Sequence, residues 1–176
     1  MPPPPAGPDG SPTIDVVTDV DQLAAIRELL HEYQAQLGIS LDFQHFEKEL
    51  AELPGAYAPP AGRLLLATQH GVALGCVALR PTADGSGEMK RLYVRASARG
   101  LGLGQALLDR ILLEARGAGY SRIVLDTLPS MHAAQQMYLR AGFTEIAPYT
   151  SNPVPGARFL GLDFIAAHDH VVGEVR

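Results

Sequence analysis

Residues 88–108 read EMKRLYVRASARGLGLGQALL, and the fold turns on them. The first eight make a strand candidate. Glycines 100, 102 and 104 then form a tight turn, and Leu107, Leu108, Ile111, Leu112 and Ala115 recur at helical spacing. Strand, glycine-rich turn and helix bring several backbone N–H groups together at a helix N-terminus, where unpaired donors and the helix dipole favour an anion. A phosphate or pyrophosphate fits such a turn; a glycine turn required for packing alone is the plainer alternative. Two familiar phosphate loops are excluded. A dinucleotide fingerprint needs glycine where Gln105 or Leu107 stands. The Gly-Lys-Ser/Thr of a P-loop is absent.

Upstream, residues 13–18 (TIDVVT) are strand-like. Thr18 and Asp21 have capping-box spacing, with Asp in place of Glu. Leu23, Ile26, Leu30, Tyr33 and Leu37 form the apolar stripe of a helix that Gly38 stops. Phe43, Phe46, Leu50 and Leu53 predict a shorter helix ended by Pro54 and Gly55. Residues 63–68 (RLLLAT) and 72–79 (VALGCVAL) read as a hairpin around Gln69, His70 and Gly71, followed by a loop over 81–87. Downstream, Gly117 and Gly119 close the helix, and 121–126 (SRIVLD) is a short buried strand. Residues 131–141 are helical with Gly142 at the end, and 143–146 and 158–164 are closing strands around the Pro-rich loop 148–156. The order βαα-βββ-αβαββ predicts an α/β domain on one mixed sheet.

The chain has 176 residues, 47% hydrophobic and 19% charged, enough for one domain with its own core. Six of the fourteen prolines lie in residues 1–12, which read as a disordered tail; 13–166 form the domain and 167–176 a C-terminal tail. One cysteine, Cys76, excludes an internal disulfide and a Cys-based zinc site and fits a reducing, cytoplasmic setting. His168 and His170 read as surface residues, and no metal is expected. There is no membrane-length apolar run and no visible signal peptide, so no membrane partner is expected. A net charge of −5 and a pI near 5.6 argue against nucleic acid. Residues 1–60 hold ten acids and two bases, whereas 61–176 hold nine acids and twelve bases. The acidic third slightly favours a cationic acceptor.

Arg99-Gly-Leu-Gly102-Leu-Gly104 matches the Q/R-x-x-G-x-G/A signature of the GNAT N-acetyltransferases. Leu92, Tyr93 and Val94 lie where that family's pantetheine-binding strand lies, and Ala134, Tyr138, Gly142 and Phe143 match its A-x-x-x-Y-x-x-x-G-F helix. From Glu88 to Phe143 the chain resembles this family, and the preceding helices and hairpin are similar too. The resemblance implies the GNAT fold, a mixed, mostly antiparallel sheet with splayed central strands flanked by helices. It implies acetyl transfer from acetyl-CoA to an amine of a small molecule or peptide, with a homodimer as a common assembly. The pyrophosphate then sits on Gly100, Leu101, Gly102, Leu103, Gly104 and Gln105. The pantetheine pairs with the backbone of Leu92 and Val94, and Ala134 belongs to the cofactor-binding helix. Arg99 helps with phosphate charge, with Lys90, Arg91 and Arg95 as rivals. Many members carry Asn seven residues before the tyrosine; here Met131 stands there, so Ser130 or a backbone group takes over the contact.

Such chemistry makes its own demands. An alkylamine with a pKa of about 10.4 is protonated at neutral pH and needs a base or a dry pocket. The departing thiolate gains from an acid. Glu88, eleven residues before Arg99, is the base candidate by resemblance to lysine-acetylating members; a water relay is the other route, and a solvated Glu paired with Lys90 the plain reading. Tyr138 is the acid candidate, since a phenol can donate to the leaving sulfur; packing on the sheet is its plain role. By the same resemblance Phe43 and His45 border the acceptor pocket, with plain packing as their other role, and Tyr149 lies in a loop that caps it. His132 is a solvated first-turn residue, with a base or a phosphate contact as its other readings. The rivals to turnover are a non-catalytic acyl-CoA sensor and a partner-binding module of the same fold.

Overall fold

The computed structural model describes residues 7, 9–41 and 45–165. The expectations for Phe43, for most of 1–12 and for 167–176 fall outside the described residues. β1 (Thr13–Val16) leads into α1 (Val20–Leu37). The Asp19 carboxylate accepts from Gln22 N at 2.8 Å, and Gln22 Oε1 accepts from Asp19 N at 3.3 Å. This capping box starts one residue after Thr18, because the reciprocal bond needs a long side chain at the third helical position. Asp21 is too short for it.

α2 (Phe46–Ala51) follows, then β2 (Arg63–Gln69), β3 (Val72–Pro81), β4 (Gly87–Val94), α3 (Leu103–Gly117), β5 (Arg122–Thr127), α4 (His132–Arg140), β6 (Thr144–Glu145) and β7 (Arg158–Asp163). Among the described residues the strands form one sheet in the order β1-β2-β3-β4-β5-β7-β6. Every neighbouring pair is antiparallel except β4–β5. Strand alternation sorts the core into two layers. Val77, Leu79, Met89, Ile123 and Leu125 join Leu107, Leu108 and Ile111 of α3 on one face. Leu64, Leu66, Cys76, Ala78 and Tyr93 meet Ile26, Leu29 and Leu30 of α1 and Phe46 and Leu50 of α2 on the other.

β4 and β5 pair only at Gly87–Ile123 and Glu88–Val124 and then separate. A bulge explains the parting. Between the pairs Cys76–Tyr93 and Ala78–Lys90, Arg91 and Leu92 oppose Val77 alone, and Arg91 has φ 61°. The extra residue bends and twists β4 away from its neighbour. A left-handed arginine costs on the order of 1–3 kcal/mol, and its surroundings offset that cost. Its Nε and Nη2 donate to Glu49 at 2.9 and 3.4 Å, and its guanidinium lies 5.1 Å from the Phe46 ring centroid. Tyr57 completes the clamp by donating to Glu49 at 2.6 Å.

Removing the clamp should expose its weight. Arg91 and Glu49 side chains are 3% and 11% exposed. Breaking a buried pair by deleting one partner costs about 3–5 kcal/mol. Urea unfolding of Glu49→Ala is expected to show a loss of that order.

Candidate active site

Beyond the bulge, β4, the glycine turn and the first turns of α3 and α4 enclose a cleft of about 670 Å³. Leu92, Tyr93, Val94, Arg99, Gly100, Gly102, Leu103, Gly104, Gln105, Ser130 and Ala134 all line it. Leu101 does not; it is 75% exposed and borders a separate hollow with Pro12 and Ile14. Gly102 is the N-cap of α3 and offers no side-chain cap, so the first N–H groups of the helix have no partner from that source. Gly100 and Gly102 sit at φ 79° and 77°, and a Cβ on either would meet nothing within 4 Å. Backbone conformation demands these glycines, and the space beside them is open. The donor set fits a pyrophosphate.

The edge of β4 fits the arm of the same ligand. Val94 opposes Gly75, and Arg95 N donates to Leu74 O at 2.8 Å. Ladder alternation therefore turns the N–H and C=O of Val94 toward the β5 side, where β5 has already diverged. Arg99 Nε donates to that Val94 carbonyl at 3.1 Å, and Arg99 Nη2 donates to Gln36. Arg140 and His132 join Arg99 in the lining. Its rivals are committed elsewhere. Arg95 donates to Glu32 at 2.7 Å and to Ala73 O at 2.8 Å, and Arg91 is clamped by Glu49.

Where β4 and β5 part, a narrow gap of about 60 Å³ adjoins the cleft and shares Leu92, Met131 and Ala134 with it. Tyr138 lines the gap, 6% exposed, its ring 5.8 Å from that of Phe143. Burial raises its pKa above that of a free phenol, so the hydroxyl stays protonated. Lys90 and Asp126 line the gap as well. Lys90 is 7% exposed, and burial together with the like charge of Arg91 lowers its pKa. Met131 occupies the position of the family's asparagine, with its Sδ 3.6 Å from the Thr127 hydroxyl.

Glu88 lines neither the gap nor the cleft. It is 3% exposed, and both of its oxygens are engaged: Oε1 by Arg80 Nε at 2.8 Å and Oε2 by the Tyr149 hydroxyl at 2.7 Å. Burial alone would raise its pKa, but the charge of Lys90, the Tyr149 bond and Arg80 outweigh burial and hold it below the ordinary value. The solvated pairing with Lys90 gives way to a cross-strand one, because Arg80 stands opposite Glu88 in the β3–β4 register. Asn152 makes a second stitch, its Nδ2 donating to Asp126 Oδ2 at 3.0 Å. The loop between β6 and β7 is thus tied to the sheet through two carboxylates, and Tyr149 rests edge-on against Phe159 at 5.6 Å. His45 stands apart, at the start of α2 with φ 55°, bordering a hollow of about 300 Å³ with Lys48, Glu52 and Arg80.

Asp126, Asn152, Arg80 and Arg140 carry no motif. The available sign for Asp126 was a lone carboxylate in the apolar strand SRIVLD. Among the described residues no group of three His, Cys, Asp or Glu side chains could hold a metal ion, and no helix is long and apolar enough to cross a membrane.

A forked mixed sheet with a ligand-sized cleft on one side and a buried phenol at the fork is the arrangement that the resemblance to the N-acetyltransferases implies. Residues 23–143 match the model of the acetyltransferase (GNAT) family. An uncharacterised N-acetyltransferase of Schizosaccharomyces pombe is 40% identical over 153 residues, covering 86% of this chain and 94% of that protein. An acetyltransferase from Streptococcus agalactiae shares the fold with a TM-score of 0.73 at 23% identity, over 87% of this chain and 98% of its own. The yncA protein of Salmonella typhimurium, solved with its cofactor acetyl-CoA, matches with a TM-score of 0.62 at 22% identity, over 89% of this chain and 96% of its own. The chain belongs to the GNAT acetyltransferase family and is an acyltransferase.

The depressed pKa of Glu88 links the loop anchor to pH. The stability it contributes is present above the unfolded value of about 4.3 and is lost as pH falls through the lower folded value. Urea midpoints are expected to drop between neutral and acid pH. Glu88→Gln, neutral throughout, is expected to flatten that drop.

Proposed function

We propose that the protein moves an acetyl group from acetyl-CoA to a primary amine of a small molecule or peptide by direct attack. One observation carries the reading: Tyr138 lines the gap where the β4–β5 fork opens onto the cleft of the uncapped α3. Acetyl-CoA supplies the activated acyl group when bound there. Backbone N–H groups at the start of α3 hold its pyrophosphate, and Arg99 and Arg140 add positive charge. Leu92 and Val94 offer main-chain groups to the pantetheine, and Ser130 stands in for the family's asparagine.

The chain's own residues handle the protons. The gap disfavours an ammonium, as the lowered pKa of Lys90 illustrates, so an amine entering it gives up its proton more readily. The Tyr138 phenol donates a hydrogen bond to the departing sulfur. A thiol pKa of about 8.5 lies below a phenol's value of about 10, so that bond stabilises the thiolate without full proton transfer. Glu88, engaged on both oxygens, anchors Tyr149 and its loop over the acceptor side rather than acting as the base.

A thiol-release assay with acetyl-CoA across an amine panel tests the activity. Gly102→Asp places a negative charge at the anion site and is expected to abolish CoA binding by calorimetry in a protein that stays folded. Tyr138→Phe keeps the ring and removes the donor. Its kcat is expected to fall about 10²-fold while the KM for acetyl-CoA holds. An unchanged kcat would return Tyr138 to a packing role.

A further inference from the structure

Four charged side chains gather on the α1–α2 face of the sheet around the fork: Arg80 on β3, Glu88 and Lys90 on β4, and Asp126 on β5. Strand alternation puts them there, since Leu79, Met89 and Leu125 point into the opposite core layer. Arg80 and Glu88 neutralise each other at 2.8 Å, and Tyr149 takes the remaining Glu88 oxygen. Asp126 is differently placed. It lines the gap beside Tyr138 and Lys90, and it is half-buried. Asn152 engages its Oδ2, and among the described residues no donor reaches Oδ1. Asn152 is itself fixed, its Oδ1 accepting from Val154 N at 3.0 Å. Among the described residues only Arg122 Nε is a buried polar side-chain atom without a hydrogen-bond partner, so Oδ1 is not sealed in the core and stays open to what enters the gap. Packing gives no reason for this carboxylate in a strand whose preceding residues are Ile123, Val124 and Leu125.

We infer that Asp126 is the base of the reaction and that Asn152 is a positioning residue, holding the carboxylate so that Oδ1 faces the incoming amine. The inference rests on the acetyl-transfer reading above. An N–H bond of the acceptor ammonium breaks as an O–H bond forms at Oδ1, and the freed nitrogen lone pair attacks the acyl carbon. The ammonium loses two protons in all. One passes through Asp126 to water, which restores the carboxylate, and the other ends on the CoA sulfur as the C–S bond breaks. Among the described residues, the titratable groups facing Asp126 are Lys90 from β4, Tyr33 from α1, Tyr138 from α4 and Tyr149 from the loop, with Arg91 and the Arg80–Glu88 pair behind them. Burial raises all three phenols, and burial together with the like charge of Arg91 lowers Lys90.

The test is the pH dependence of kcat/KM on an accepted amine, with CoA affinity measured in parallel by calorimetry. Asp126→Asn keeps the shape and removes the base. Its loss is expected to be about 10²–10³-fold at neutral pH and to shrink as pH approaches the pKa of the amine, where free amine is abundant. Asn152→Ala is expected to lose less and to displace the acid limb of the profile, which a merely structural role would leave in place. CoA affinity is expected to hold in both variants. A wild-type profile in Asp126→Asn overturns the inference and leaves the acetyl-transfer reading intact. Failure of the unaltered protein to acetylate any amine sinks that reading first. Should Asp126→Asn not fold, Asp126→Glu decides: a shifted acid limb supports the assignment, and an unshifted one overturns it.

Discussion

The left-handed turn at Arg91 is the constraint on which the rest of the molecule depends. β4 has to pair with β3 along its length and still leave β5 after two residues. A regular strand cannot do both, because its twist would carry it along its parallel neighbour. One extra residue breaks the register, and the Glu49–Phe46–Tyr57 clamp holds that residue in a conformation that arginine otherwise avoids. The short helix α2 therefore does more than cover the sheet. It holds open the fork from which both the cleft and the gap follow.

The two sides of the fork have opposite electrostatic character. Toward α3 and α4 lie an uncapped helix start, Arg99, His132 and Arg140, a setting for an anion. Toward α1 and the β6–β7 loop lie carboxylates held by neighbours, with Lys90 between them. Charges on that face are nearly all paired across elements: Arg80 with Glu88, Arg91 with Glu49, Asp126 with Asn152. Pairing fixes the side chains in place where water is scarce, which suits a site that has to present one group at one angle.

Much of this was legible in the sequence where the cause is local. Gly38 and Gly142 stop helices through the backbone of adjacent residues, the turn at His70 and Gly71 closes a hairpin, and the glycine run announces the uncapped turn into α3. The reading faltered where the cause lies across the sheet. Nothing in EMKRLYVR tells that Arg91 takes an extra step in the ladder, because the clamp that permits it comes from residues 46–57. Glu88 read as a base candidate or a solvated strand-start acid because its partners, Arg80 and Tyr149, arrive from another strand and a distant loop. Asp126 passed as part of a buried strand for the same reason. Its meaning depends on a fork that opens only in three dimensions.

The bare start of α3 also makes the molecule's durability depend on its surroundings. The first N–H groups of α3 have no side-chain cap, and an anion held there would bind the native chain and not the unfolded one. Mass action then adds about 2.7 kcal/mol at a ligand concentration a hundred times the Kd. Differences of this size change how many copies escape proteolytic clearance.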